Sequence, residues 1–117
     1  MTKMMLLLYK RADLTDDEFN RYWRESHQPL LLQLPGLKKL VLNRVRRDAN
    51  TPASACDGIS EAWYDSPEAL YAGLASPAGQ AVAADSPNFL DLSKLQILMV
   101  DEDMVLVPDD MPMMMAR

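Results

Sequence analysis

One cysteine, one histidine, four glycines and an aromatic share of 7% leave this 117-residue chain short of the side chains that build disulfides and metal centres. Cys56 is alone, so no intrachain disulfide can form, and one Cys with one His cannot complete a four-ligand zinc site. No metal is expected. Positive charge is also scarce: 12 Lys and Arg against 17 Asp and Glu give a net charge of −5. That balance argues against a nucleic-acid partner, because neutralising phosphates takes Lys and Arg clustered on one face. The basic cluster that does exist, Arg44, Arg46 and Arg47 after Lys38 and Lys39, alternates with apolar residues in a strand-like stretch. Long apolar runs are missing too. Nothing approaches the roughly 20 residues that a membrane helix needs. The N-terminal MTKMMLLLYKR carries only a short apolar run between charges, without a small-residue cleavage site. The expectation is a cytoplasmic protein with no membrane partner.

What is present is an ordered series of strand and helix signals. The length fits one domain over residues 1–117, with a core at about 3–107 and a Met-rich tail at 108–117. Lys3 to Lys10 reads as a strand, apolar and closed at both ends by charge. Thr15 with Glu18 three residues later forms a capping-box pattern, so a helix starts near Asp16, and its acidic first turn suits the positive end of the dipole. Phe19, Tyr22, Trp23, Ser26, Leu30 and Leu34 recur at three- and four-residue steps and form one stripe. Pro29 removes a donor and predicts a kink or break near Gln28, and Pro35-Gly36 ends the element. Leu37 to Arg47 and Ile59 to Tyr64 read as the second and third strands, joined by an exposed connection over Asp48 to Gly58. Ser66-Pro67 and Ser76-Pro77 each pair a helix cap with Pro at the first helical position, which predicts two helices in tandem ending near Ala84. Asp85 to Ser93 reads as a loop, Gln96 to Val100 as the last strand, and Met104 to Val107 as a further apolar stretch.

The order βαββαβ predicts an α+β, ferredoxin-like fold, with a four-stranded antiparallel sheet and its helices on one face. Yet the strands are apolar at consecutive positions, Met4 to Leu8, Leu40 to Leu42 and Ile97 to Val100, where a one-sided sheet would alternate. One chain has no spare element to cover the second face, so a second copy is the economical cover and a homodimer is expected.

Phe19, Tyr22-Trp23, His27, Pro29-Leu30, Pro35-Gly36-Leu37, Asn43, Asp57-Gly58, Glu61, Trp63-Tyr64, Ser66, Ser76-Pro77 and Phe89 together resemble the EthD family, over about residues 3 to 107. Its members share an F-x-x-Y-W-x-x-x-H-x-P-L helix, a P-G-L turn and a G-x-x-E-x-W strand. The resemblance implies a dimeric α+β barrel in which two sheets close face to face and each chain keeps a cavity between sheet and helices. The wider superfamily includes lactone isomerases, polyketide cyclases, cofactor-free monooxygenases, haem-dependent enzymes and members without assigned activity.

His27 is the side chain whose unperturbed pKa lies near neutrality, and it sits one turn after Trp23 at the edge of the apolar stripe. It either moves a proton to or from a substrate or caps a backbone carbonyl where Pro29 interrupts the helix. The resemblance favours the first, since isomerases of this type place a His at the matching point. They use a second His between strands two and three, however, and this chain has none there; Cys56 or Asp57 is the polar substitute, unless Cys56 is an inert loop thiol. Glu61 and Trp63 share a strand face. If that face looks toward the helices, Glu61 partners His27 with a raised pKa; if it looks the other way, the pair is structural or lies at a dimer seam. Asn43 carries the same ambiguity. Tyr9, Tyr22, Trp23, Trp63, Tyr71 and Phe89 are either core or the walls of a pocket for a planar, partly oxygenated ligand.

The leading expectation is a cofactor-independent enzyme doing isomerase, cyclase or lyase chemistry on a small cyclic aromatic or lactone-like substrate. His27 carries the proton, with Glu61 or Tyr22 in support. A cofactor-free monooxygenase of phenols and a non-catalytic ligand-binding dimer are the alternatives. No cofactor is expected, although His27 is the axial ligand a haem would find.

Overall fold

The computed structural model describes residues 1–109. The element order is β1 (Thr2–Leu8), α1 (Asp16–Tyr22), a π-helical turn (Trp23–His27), α2 (Gln28–Leu31), β2 (Lys39–Arg44), β3 (Gly58–Tyr64), α3 (Pro67–Ala75), α4 (Pro77–Asp85), a 3-10 turn (Ser86–Asn88) and β4 (Gln96–Asp101). The strands form one antiparallel sheet in the order β2-β3-β1-β4, which is the α+β, ferredoxin-like arrangement. Met111 and Met113 to Met115 of the expected tail lie outside the described residues. Met104, Val105 and Leu106 extend no strand and are exposed.

The helix starts follow their sequence signals. Thr15 accepts from the Glu18 amide at 3.1 Å, and the Glu18 carboxylate accepts from the Thr15 amide at 2.8 Å, closing the capping box. Ser66 and Ser76 cap α3 and α4 by accepting from Ala69 and Gly79, each at 3.1 Å, and Pro occupies the first turn of both helices. The break expected near Gln28 takes the form of the π turn: the Gln28 amide donates to the Trp23 carbonyl five residues back, and α2 restarts with Pro29 in its first turn. Pro29 has no amide hydrogen to continue an α-helical ladder, and its ring would crowd the preceding turn, so the chain widens by one residue just before it. Gly36 turns the chain with φ +81°, a conformation that costs a side-chain-bearing residue energy.

Register and alternation assign the faces. Met4, Leu6 and Leu8 of β1, Leu40 and Leu42 of β2 and Ala62 and Tyr64 of β3 meet the helices in two adjoining clusters. One contains Phe19, Trp23, Phe89 and Leu90, and the other contains Tyr64 and Leu70. The Phe19 ring lies 5.6 Å from Trp23 and 5.7 Å from Phe89, centre to centre. Withdrawing each such ring from water stabilises the fold by about 1.5–3 kcal/mol. Gly58 also faces the helices: a Cβ there would stand 2.5 Å from Trp23 Cζ3, so the indole lies directly on the strand backbone. The alternate positions, among them Met5, Leu7, Val41, Ile59, Leu98 and Val100, lie on the face that none of the described helices covers. The consecutive apolar runs of the strands are thus two-sided, as their pattern predicts.

Candidate functional site

His27 ends the π turn and is 5% exposed. Its Nδ1 pairs with Asp85 Oδ2 at 2.8 Å, and its ring lies 4.7 Å from that of Phe89. The partner of His27 is therefore a carboxylate and not a backbone carbonyl. Asp85 is the last residue of α4, where the sequence reading places the start of a loop. It accepts two further hydrogen bonds on Oδ1, from the Tyr22 hydroxyl at 2.6 Å and from Asn88 Nδ2 at 3.0 Å. Burial pushes the Asp85 carboxyl up, but the hydrogen bonds from Tyr22, His27 and Asn88 outweigh it and hold the group below the usual carboxylate range. Asp85 is consequently a fixed anion at neutral pH. The same bond holds the Tyr22 hydroxyl protonated, since donating to Asp85 pushes its pKa up. Tyr22 also stacks on Phe89 at 5.1 Å, which fixes its ring.

A small cavity of about 40 Å³ lies between the sheet and the helices beside this pair. It is lined by Met4, Leu6 and Leu8, by Trp23, His27, Leu31 and Leu34, by Ser60 and Ala62, and by Leu74, Val82, Ser86 and Leu90. Ligand pockets usually occupy several hundred Å³, so the cavity must widen to admit a ring. Ser86 spends its hydroxyl on the Val82 carbonyl at 2.9 Å. The Trp23 indole N–H is buried without an acceptor among the described residues. Such a donor costs the fold about 1–3 kcal/mol.

The other sequence candidates separate from His27. Glu61, Trp63 and Asn43 lie on the opposite face of the sheet, so the expected partnership of Glu61 with His27 does not form. Glu61 instead accepts from Lys3 at 3.1 Å and from Asn43 at 2.9 Å. Burial raises its pKa, but the bonds from Asn43 and Lys3 bring the carboxyl below its ordinary value, opposite to what a general acid in an apolar pocket needs. Trp63 is held between Lys3 and Lys39, whose Nζ atoms stand 4.8 and 4.7 Å from its ring centre, and its N–H donates to Glu102 at 3.4 Å. Tyr71 is 56% exposed on α3, and Tyr9, half-buried after β1, is not among the cavity walls. Of the six aromatic candidates, Trp23 lines the cavity, Phe89 backs His27 and Tyr22 reaches the site through Asp85. Cys56 and Asp57 do not replace the missing second histidine. Burial pushes the Cys56 thiol up, and Asp57 is committed to Arg47 at 2.6 Å and to the Lys10 amide at 2.9 Å. Among the described residues no three His, Cys, Asp or Glu side chains converge as a metal site. None of the described helices is long and apolar enough to cross a membrane.

Fold and site together define an α+β protein of ferredoxin-like topology with a buried histidine–carboxylate pair on the helix side of its sheet. Residues 11–93 match the EthD domain, and the chain belongs to the EthD family. An uncharacterised 11.0 kDa protein from the thcB–thcC intergenic region of Rhodococcus erythropolis is 30% identical over 88 residues, 75% of this chain and 84% of that protein. The crystal structure of an EthD family protein from Bacillus halodurans superposes with a TM-score of 0.74 at 22% identity, covering 88% of this chain and 100% of that one. SnoaB from Streptomyces nogalater, a cofactor-independent oxygenase, superposes with a TM-score of 0.63 at 12% identity, covering 90% and 95%. At these identities the structural likenesses establish the fold alone.

Proposed function

We propose that this protein is a small enzyme that carries out acid–base chemistry without a cofactor, of isomerase, cyclase or lyase type, on a small cyclic aromatic or lactone-like compound. The observation that carries this reading is the 2.8 Å pair of His27 with Asp85 beside the apolar cavity. Asp85 fixes the imidazole through Nδ1, which leaves Nε2 as the nitrogen that exchanges a proton with the substrate. A substrate C–H or O–H bond breaks as the Nε2–H bond forms, the fixed anion of Asp85 offsets the positive charge on the ring, and the proton returns at a second substrate atom. Tyr22 and Asn88 are positioning residues: they hold Asp85, and Tyr22 remains a donor because its hydroxyl stays protonated. Asp85 thus takes the supporting place that sequence reasoning gave to Glu61.

The apolar lining favours one further reading. Dioxygen partitions into such a cavity, and a phenol deprotonated by His27 is electron-rich enough to react with it, as in a cofactor-free oxygenase. The likeness to SnoaB is in keeping with this. The protein acts as a homodimer in either case, with the uncovered face of Met5, Leu7, Val41, Ile59, Leu98 and Val100 meeting a second copy.

The test is turnover of a panel of small lactones and phenols by the native protein and by His27→Ala, with oxygen uptake recorded. Turnover abolished by His27→Ala supports the enzyme reading, and uptake selects the oxygenase form. If no compound turns over and His27→Ala binds the same ligands with unchanged affinity, the protein is a non-catalytic binding dimer and the proposal fails.

A further inference from the structure

Among the described residues, the cavity walls contain no Lys, Arg, Asp or Glu. A carboxylate or phosphate entering the space would surrender its hydration shell to walls whose one ionisable side chain, His27, is already paired with the Asp85 anion, which is costly in an apolar enclosure. The polar side chains on the walls are Trp23, His27, Ser60 and Ser86. Ser86 is bonded to the Val82 carbonyl of α4, and His27 Nδ1 is bonded to Asp85. Ser60 is buried at the centre of β3, opposite Leu6 and Leu42 and flanked on its face by Gly58 and Ala62. The Trp23 N–H is a fully buried donor with no acceptor among the described residues, and Trp23 and His27 begin and end the same π turn. An indole N–H can only donate, so what completes it is an acceptor oxygen.

We infer that the ligand of this cavity is a small uncharged molecule carrying a carbonyl or phenolic oxygen, that this oxygen accepts a hydrogen bond from the Trp23 indole N–H, and that anionic analogues of the same shape are excluded. The inference rests on the cavity being the binding site, as proposed above. Trp23 orients the molecule through its oxygen, and His27 Nε2 then addresses an atom one turn further along the helix. A buried donor left unpaired in the free protein and paired in the complex favours oxygenated ligands over apolar ones of equal size. The walls of Met4, Leu6, Leu31, Leu34 and Leu74 supply the remaining contact. Trp23 is accordingly a specificity-determining residue, with charge rejected by the walls and oxygen selected by the indole.

The experiment uses the full-length protein labelled with 15N at tryptophan and 13C at leucine methyls, titrated separately with phenol, benzene and benzoate. The two indole N–H signals are assigned with Trp63→Phe, and Trp63, on the other face of the sheet, serves as the internal control. The expected result is that phenol moves the Trp23 indole proton downfield and perturbs leucine methyls, that benzene perturbs the methyls without the downfield shift, and that benzoate does neither. Trp23→Phe, which keeps an aromatic ring but removes the donor, weakens phenol binding by about 3- to 10-fold and leaves benzene binding in place. Leucine methyls that respond to phenol while the Trp23 proton stays still, or benzoate acting as strongly as phenol, overturn the inference and leave the cavity as the binding site. Methyls that respond to none of the three probes overturn the choice of cavity and the inference with it.

Discussion

Removing the Asp85 carboxylate isolates what the His27 pair contributes. His27 and Asp85 side chains are 6% and 16% exposed, so neither is easily rehydrated in place. In Asp85→Ala the buried Nδ1 loses its partner, whereas the half-buried Tyr22 hydroxyl and the exposed Asn88 amide can turn to water. The cost therefore falls mainly on His27, and a hydrogen bond to a charged group is worth about 1.5–3 kcal/mol, so Asp85→Ala is expected to destabilise by about 2–3 kcal/mol. His27→Leu is milder, at about 1 kcal/mol, because Asp85 keeps Tyr22 and Asn88 as donors and leucine fills most of the space. The double variant should fall short of the sum by about 1–2 kcal/mol, which is the coupling between the two side chains. Urea unfolding at pH 7, followed by tryptophan emission at one fixed protein concentration, measures all four corners of the cycle; concentration is held because a dimer's stability depends on it. If the two substitutions add to within about 0.5 kcal/mol, the pair makes no energetic contribution, and both the fixed imidazole and the chemistry assigned to it are refuted.

Other features of the structure carry measurable consequences. Gly58→Ala places a methyl group 2.5 Å from Trp23 Cζ3, so the strand or the indole must move. We expect a loss of about 1–3 kcal/mol in urea unfolding, largely relieved when Trp23→Leu is present, and a neutral Gly58→Ala contradicts the packing of the indole on β3. Asp85 and Glu61 are both held below their ordinary pKa, so near pH 4 the unfolded chain takes up protons that the folded chain refuses. Their contribution is complete above the unfolded carboxylate pKa of about 4 and is lost as pH falls through the depressed folded values. The urea midpoint should thus fall below about pH 4, and more gently in Asp85→Asn. Leu98 is 46% exposed on the uncovered sheet face, so Leu98→Glu leaves the isolated chain folded but should convert a dimer to a monomer in light scattering; an unchanged mass places the dimer seam elsewhere or removes it.

The elements were legible because their signals are local. Thr15 with Glu18, and the two Ser-Pro pairs, announce helix starts within three or four residues, and the structure uses each of them as written. The site was only half legible. His27 stood out as the single imidazole, but Asp85 is 58 residues away, and nothing near it in sequence distinguishes it from the other surface acids. Its role arises from where α4 ends against the π turn, which is tertiary information. Glu61 fails for a different reason. Trp63 and Tyr64 are adjacent large aromatics, so either alternation of β3 buries one of them, and the pattern alone cannot choose the face. The choice is made by Gly58, the position that has room for Trp23, and every second residue from it points to the helices, leaving Glu61 on the other side.

The π turn makes chain length, rather than side-chain identity, the sensitive variable at this site. It holds one residue more than an α-helical turn, and Arg24, Glu25 and Ser26 within it are exposed. Substituting any of them changes little that the cavity feels. Deleting one shortens the path from Trp23 to His27 by a residue while Pro29 still withholds an amide from the helical ladder. His27 would then be drawn off the position at which it meets Asp85. Insertions and deletions in this five-residue stretch are therefore more consequential for the site than almost any point change there, and relatives can be aligned across it by counting residues between the tryptophan and the histidine.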